Sequence, residues 1–251
     1  MPRLIFLGSS NAVPSEEHDN THMLLSGEQH NVLIDCSSNP VVRLRRAGLN
    51  PLSITDLILT HFHPDHVSGL PMFLMDSWLL GRKEPINIYG LDTTVEKARQ
   101  MMKLYDWQTW PNFFPVHFVS IPLMVKTLVL ETNEFRIVAS PVAHMIPNIG
   151  LRVEFPGLGK VLAYSSDTIP STAVTELAHG ADWLIHEAAG AAVGHTSAEQ
   201  AGEIAHLAGA KKLYLIHYQT WNFDPSSLVQ EAQRHFAGPV QLAMDFEYID
   251  I

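Results

Sequence analysis

Leu57-Ile58-Leu59-Thr60-His61-Phe62-His63-Pro64-Asp65-His66 is the stretch from which the fold can be read. An apolar run of strand length ends in a loop carrying four potential metal ligands within six residues, and a helix-compatible segment follows. A buried strand holds its terminal loop rigidly, so such side chains can converge without a large ordering cost. Pro64 stiffens that loop further. The bland alternative is a polar surface loop. Three imidazoles and a carboxylate at this spacing weigh against it and for a metal site.

One tight cluster cannot fill a binuclear site, so other strand ends should supply partners, and three do. Phe135 to Ser140 leads to His144, Val161 to Tyr164 leads to Asp167, and Leu213 to Ile216 leads to His217. Singly, each histidine would more often be a hydrogen-bonded structural residue, and the aspartate a turn residue or helix cap. Their shared position just past an apolar run is where layered α/β proteins put their sites.

Composition narrows the rest. A chain of 251 residues with 46% hydrophobic content can fill one large core, so a single domain over 1–251 is expected. Sixteen basic against 26 acidic side chains give a formal charge of −10, with only Arg43, Arg45 and Arg46 grouped. That balance disfavours a broad grip on nucleic acid, which depends on clustered cations. A lone cysteine, Cys36, rules out an intramolecular disulfide framework and fits a reducing, cytoplasmic setting. The apolar run Leu4 to Leu7 is too short for a signal-peptide core or a membrane span and reads as a first strand, with no membrane partner expected.

Strands and helices interleave throughout. Strands are expected near 4–7, 23–25, 31–35, 57–60, 86–89, 135–140, 150–155, 160–164, 183–186, 213–216 and 241–244, and helices near 40–47, 70–80 and 93–105. Thr196 with Glu199 predicts a capping box that launches a helix over 197–207. Asp224-Pro225 predicts another helix start. The aromatic and proline-rich segment 105–115 suits a lid, a dimer patch or plain packing over a helix. Tyr218, Trp221 and Phe223 follow His217 closely enough to flank the site. His18, His22, His30, His117, His179, His206 and His235 lack such a setting and read as structural or surface residues.

With these residues in view, the sequence resembles the metallo-β-lactamase superfamily, whose hallmark is His-x-His-x-Asp-His followed by a His, an Asp and a His at later strand ends. The likeness runs from Phe6-Leu7-Gly8-Ser9 and Leu33-Ile34-Asp35-Cys36 to Leu242-Ala243-Met244-Asp245. It implies an αβ/βα sandwich of two mixed β-sheets flanked by helices. It also implies that His61, His63 and His144 hold one divalent ion and Asp65, His66 and His217 a second, with Asp167 bridging. Zn²⁺ is the preferred metal for this nitrogen and oxygen set, with Mn²⁺ or Fe²⁺ also compatible.

A narrower resemblance follows. Trp183 to Ala188 and Gly194-His195-Thr196-Ser197 look like the paired loops of the phosphodiesterase branch that contains the tRNA 3′-processing endonuclease. The resemblance implies that His195 protonates the leaving oxygen, Glu187 orients His195, and Asp65 orients and deprotonates the attacking water. His186 ranks lower, as a supporting or structural residue. The chain departs from the long-form tRNA-processing members in having only 22 residues between His144 and Asp167, where they carry a protruding arm. The second loop also reads His-Thr-Ser rather than His-Ser-Thr.

The expectation is therefore a binuclear phosphodiesterase acting on a small phosphodiester such as a cyclic nucleotide, cyclic ribose phosphate or short nucleotide ester. RNA is a disfavoured partner in this reading, and a homodimer is expected by analogy. The alternatives are an RNA 3′-processing endoribonuclease, a thioester or lactone hydrolase, and an iron-dependent redox enzyme. A non-catalytic scaffold is disfavoured because no ligand of the series is missing.

Overall fold

The computed structural model describes residues 1–251. The elements of the first half are β1 (Arg3–Gly8), β2 (His22–Ser26), β3 (Asn31–Ile34), α1 (Pro40–Arg46), β4 (Asp56–Ile58), α2 (Pro64–Val67), α3 (Leu70–Leu79), β5 (Ile86–Leu91), α4 (Asp92–Lys103) and β6 (Val116–Ile121). Those of the second half are β7 (Thr127–Glu131), β8 (Arg136–Val142), β9 (Asn148–Phe155), β10 (Lys160–Tyr164), α5 (Thr172–Leu177), β11 (Trp183–Glu187), α6 (Ala198–Leu207), β12 (Leu213–Ile216), α7 (Ser226–Gln233), β13 (Val240–Leu242) and β14 (Tyr248–Asp250).

The chain forms two compact units. The first comprises Met1–Gly8, Asn20–Pro122 and Phe246–Ile251; the second comprises Ser9–Asp19 and Leu123–Asp245. Each is built on one seven-stranded mixed sheet.

In the first unit the order is β14-β1-β2-β3-β4-β5-β6, antiparallel from β14 to β3 and parallel from β3 to β6. Leu33, Leu57, Leu59 and Ile88 of its strands and strand ends pack with Leu44 of α1, Phe73 and Leu74 of α3 and Ala98 and Met102 of α4. The segment 105–115 joins this packing. Trp110 stacks on Trp78 of α3 at 5.2 Å, and Trp107, Trp110 and Phe113 lie against the same core. Of the three roles the sequence left open for it, these contacts meet the packing one.

In the second unit the order is β13-β12-β11-β10-β9-β8-β7, parallel from β13 to β10 and antiparallel from β10 to β7. Because β8 and β10 are both antiparallel to β9, they run the same way as β11 and β12. The C-terminal ends of β8, β10, β11 and β12 therefore share one edge of the sheet. Alanines on α6 and α7 bring these helices close: Ala198, Ala201, Ala205 and Ala232 pack with Ala163, Leu184, Leu213 and Leu215 beneath them.

Two mixed sheets flanked by helices meet the fold expectation, although β6, β7, β14 and α5 had no counterpart in the sequence reading. The capping box is real but displaced by one residue. Ser197 is the cap: its hydroxyl accepts from Gln200 N at 3.2 Å, and Gln200 Oε1 accepts from Ser197 N at 2.9 Å. Thr196 is unavailable for that role, because its N–H donates to Glu187 Oε1 and its hydroxyl to the carbonyl of Thr168. No helix is long and apolar enough to cross a membrane.

Candidate metal centre

In the first unit, β4 ends at Ile58 and the chain continues through Thr60 into His61 and His63, with Pro64 opening α2. His61 and His66 are fully buried. His61 Nε2 lies 3.1 Å from His63 Nδ1, and the rings of His61 and His66 are 4.1 Å apart. Asp65 Oδ2 is 3.6 Å from His66 Nε2. Three nitrogens and a carboxylate thus crowd together on one short turn.

Asp35, just past β3, organises this turn. Its Oδ1 accepts from Thr60 N at 2.8 Å, and both of its oxygens accept from Thr60 Oγ1 at 3.0 Å. Its Oδ2 is 2.8 Å from His66 Nδ1, which fixes that nitrogen as the N–H and leaves Nε2 as the nitrogen with a lone pair. In sequence, Asp35 stands out only as part of a resembling stretch, with no role attached. Its position at the end of an apolar run, like those of His144 and His217, was the available signal.

In the second unit, His144 follows β8, Asp167 follows β10, Glu187 ends β11 and His217 follows β12, all on the shared sheet edge. Asp167 Oδ2 is 3.3 Å from His217 Nε2 and 3.9 Å from His144 Nε2. His144 Nδ1 donates to Gly194 O at 2.8 Å, so its Nε2 is likewise the lone-pair nitrogen. Gly194 has φ +83°, and a Cβ there would lie 3.0 Å from His144 Nδ1, so only glycine suits this contact. Asn148 Nδ2 donates to the Asp167 carbonyl at 2.7 Å, and Ser166 Oγ donates to Asn148 Oδ1 at 3.0 Å. Asn148 too was missed, because a lone asparagine at a strand start carries no pattern.

Glu187 is fully buried and is the hub of the second unit's loops. Its carboxylate accepts from the backbone N–H groups of Thr168, Ala189 and Thr196 at 2.9–3.1 Å, and Oε1 is 3.1 Å from His195 Nδ1. Burial pushes its pKa up to about 7; the His195 hydrogen bond pulls down, the charge of Asp167 pushes up, and the Ala189 N–H pulls down. A donor nitrogen of His195 lies within 4.8 Å of donor atoms of Asp167 and His217. His186 is in none of the donor clusters. It is fully buried, its Nδ1 donates to the Glu187 carbonyl at 2.8 Å, and burial lowers its pKa to about 4.

Three non-glycine residues at these strand ends have left-handed backbone: Asp35 (φ 60°), Ser166 (φ 52°) and His217 (φ 56°). Such conformations persist where surrounding bonds over-determine them, and they cluster at functional sites. The donor set fits a divalent metal. It consists of neutral imidazoles and carboxylates, and at His66 and His144 the second ring nitrogen is already tied to an oxygen, as metal-bound histidines require.

The comparisons agree with this chemistry. The profile of the family described as "Anti-Pycsar protein Apyc1" matches residues 2–241. Ribonuclease Z of Methanothermobacter thermautotrophicus is 26% identical over 306 aligned positions, covering 100% of this chain and 97% of the relative. The crystal structure of human tRNase Z, short form (ELAC1), superposes with a TM-score of 0.81 at 26% identity, covering 99% of each chain. The metallo-β-lactamase fold protein YhfI from Bacillus subtilis gives a TM-score of 0.82 at 20% identity, again over 99% of each chain, and bears on the fold alone.

These relatives correct one expectation. RNA, disfavoured from net charge, is the substrate named by proteins that align along the whole chain. Net charge is a sum over the molecule and says nothing of where cations gather, so it was a weak argument against RNA.

Proposed function

We propose a function on the premise that this chain belongs to the anti-Pycsar protein Apyc1 family, whose profile spans nearly all of it. It is a metal-dependent hydrolase of the metallo-β-lactamase fold. The bond cut, in this reading, is a phosphodiester of RNA, and the reaction releases an alkoxide that must be protonated. The observation that carries the reading is the His195–Glu187 pair, 3.1 Å apart and set beside Asp167 and His217, because a positioned acid is of use when the leaving group is an alkoxide.

His61, His63 and His144 would hold one ion and Asp65, His66 and His217 another, with Asp167 shared; Zn²⁺ is the first choice. Divalent ions there would polarise the phosphoryl oxygens and make water nucleophilic near neutral pH. The chain's own residues do the rest. Asp65 accepts the proton of the attacking water. His195 gives its Nε2 proton to the departing oxygen, while Glu187 holds Nδ1 and favours the imidazolium. The whole of 1–251 then acts as one functional domain.

A second reading, a smaller phosphodiester such as a cyclic nucleotide, is favoured by one observation. Between His144 and Asp167 the chain is used up by β9, a short turn and β10, with no room for an arm to grip a large RNA.

One panel tests both readings: precursor tRNA with a 3′ trailer, 3′,5′-cyclic nucleotides and bis(p-nitrophenyl) phosphate, each with Zn²⁺ or Mn²⁺. Asp65→Ala and His195→Ala should each lower turnover by about 10²–10⁴-fold. Equal rates in wild type and both variants would remove the assigned roles. Trailer release identifies RNA as the substrate, and turnover confined to cyclic nucleotides identifies the smaller class.

A further inference from the structure

A cavity of the second unit, about 360 Å³, lies between the loop before residue 19 and the loop after β12, and none of the groups assigned above lines it. Its walls include Glu16, Glu17, His18, Thr220, Trp221 and Phe223. That volume falls in the range of small-ligand sites, about 300–1,000 Å³. Trp221 is 56% and Phe223 40% exposed, which leaves indole and phenyl surface available to a ligand.

The cavity is tied to His217 by a short bonded path. Ser9 O accepts from His217 N at 2.8 Å, and Ser9 Oγ is 2.8 Å from His18 Nδ1 on the cavity wall. Ser10 pairs with Tyr218, and its hydroxyl is 2.7 Å from Thr220 Oγ1, also on the wall. His217 and the cavity therefore flank the same two residues.

The hydrogen-bonding character of the wall follows from where its protons go. Ser9 Oγ donates to Asp245 Oδ1 at 2.7 Å, so it must accept from His18 Nδ1–H. Nε2 is then the acceptor nitrogen of the neutral ring. Ser10 Oγ donates to the Val13 carbonyl at 2.9 Å, so Thr220 Oγ1 spends its proton on Ser10 and keeps its lone pairs. With two carboxylates added, the wall is rich in acceptors, beside which stand the Ser15 hydroxyl, the Asn222 amide and the Trp221 indole N–H as donors. A phosphate would be repelled there. A flat ring carrying N–H donors would be bound on both counts, by stacking and by hydrogen bonds.

We infer that this cavity is a nucleobase pocket: Trp221 and Phe223 stack on the base, and Glu16, Glu17 and His18 select bases with an exocyclic amino group over keto-only ones. The inference rests on the phosphodiesterase reading, because that reading supplies a nucleotide whose phosphate is held next to His217, the residue whose backbone N–H bonds to Ser9 behind the cavity.

Calorimetric titration of the Zn²⁺-loaded protein with CMP and with UMP tests the pocket independently of turnover. CMP should bind about tenfold more tightly than UMP. The double substitution Glu16→Gln, Glu17→Gln should bring that ratio to within about twofold of one. Trp221→Ala should weaken both nucleotides about tenfold, and Trp221→Phe should recover most of the loss. A cytidine-ended dinucleotide in the same titration separates sources: tighter binding than CMP points to an RNA end, equal binding to a mononucleotide. Equal affinity of wild type for CMP and UMP overturns the inference. So does binding of tetramethylammonium in preference to either nucleotide, since an aromatic and acidic box also suits a cation. Failure of bis(p-nitrophenyl) phosphate hydrolysis under every metal would instead remove the phosphodiesterase reading, and the CMP to UMP ratio would still decide the pocket.

Discussion

Asp35 contributes four acceptor contacts to the turn that carries His61 to His66, and one of them fixes the tautomer of His66. Asp35→Asn keeps a side chain tolerant of left-handed backbone but removes the charge behind His66. It should weaken metal binding by about 10–100-fold, read by competition with a chromogenic chelator. His186 supports a pH prediction. Its folded pKa of about 4 lies below the ordinary 6.5, so between those values the unfolded chain takes up a proton that the folded chain refuses. Stability therefore falls as pH drops through this window, by up to about 3 kcal/mol. Urea midpoints from pH 7 to 4.5 should decline less steeply in His186→Asn than in wild type. At this scale the sequence was readable where chemistry was dense. Three histidines and an aspartate within six residues mark a metal site by their spacing alone, whereas Asp35 and Asn148 act through single bonds that leave no local pattern.

Helix α6 meets α7 at Gly202, where an added Cβ would lie 2.2 Å from the Ala232 carbonyl oxygen. Gly202→Ala ought to raise helix propensity, yet backbone blocks the methyl. The net effect should be a loss of about 1–3 kcal/mol in chemical denaturation, with α7 displaced. Elements largely buried on both faces were legible: β1, β3, β10, β11 and β12 each hold an apolar run of three or more residues. The omissions share a physical cause. β6 and β7 are edge strands with half-exposed, irregular patterns, β14 has three residues, and α5 is a six-residue helix with three β-branched or hydroxyl side chains. None buries enough of one face to impose a period on its sequence.

For the molecule as a whole, we predict that metal and stability are coupled. If the seven donors hold two ions in the folded chain alone, chelation should lower the thermal midpoint by several degrees, and readdition of Zn²⁺ should restore it. An unchanged midpoint together with a metal-free protein would contradict the ligand assignment. The sheet order accounts for the donors being traceable from distant stretches. A run of strands pointing the same way in each unit carries its chemistry at one edge, and an apolar run closed by His or Asp is visible in sequence. Invisible in sequence were the division into two units and the cavity bounded by Trp221, because both depend on how residues 9–19 return to the strands of the second half.

The left-handed backbone at Asp35, Ser166 and His217 has an evolutionary corollary. Glycine would relax each position by about 1 kcal/mol, so mutation favouring a sturdier scaffold presses steadily toward it, opposed by the need to keep the Asp35 carboxylate, the Ser166 hydroxyl and the His217 imidazole in place. A descendant carrying glycine at the positions of Asp35 and His217 would thus be recognisable, from sequence alone, as one that had kept the architecture and given up its ions.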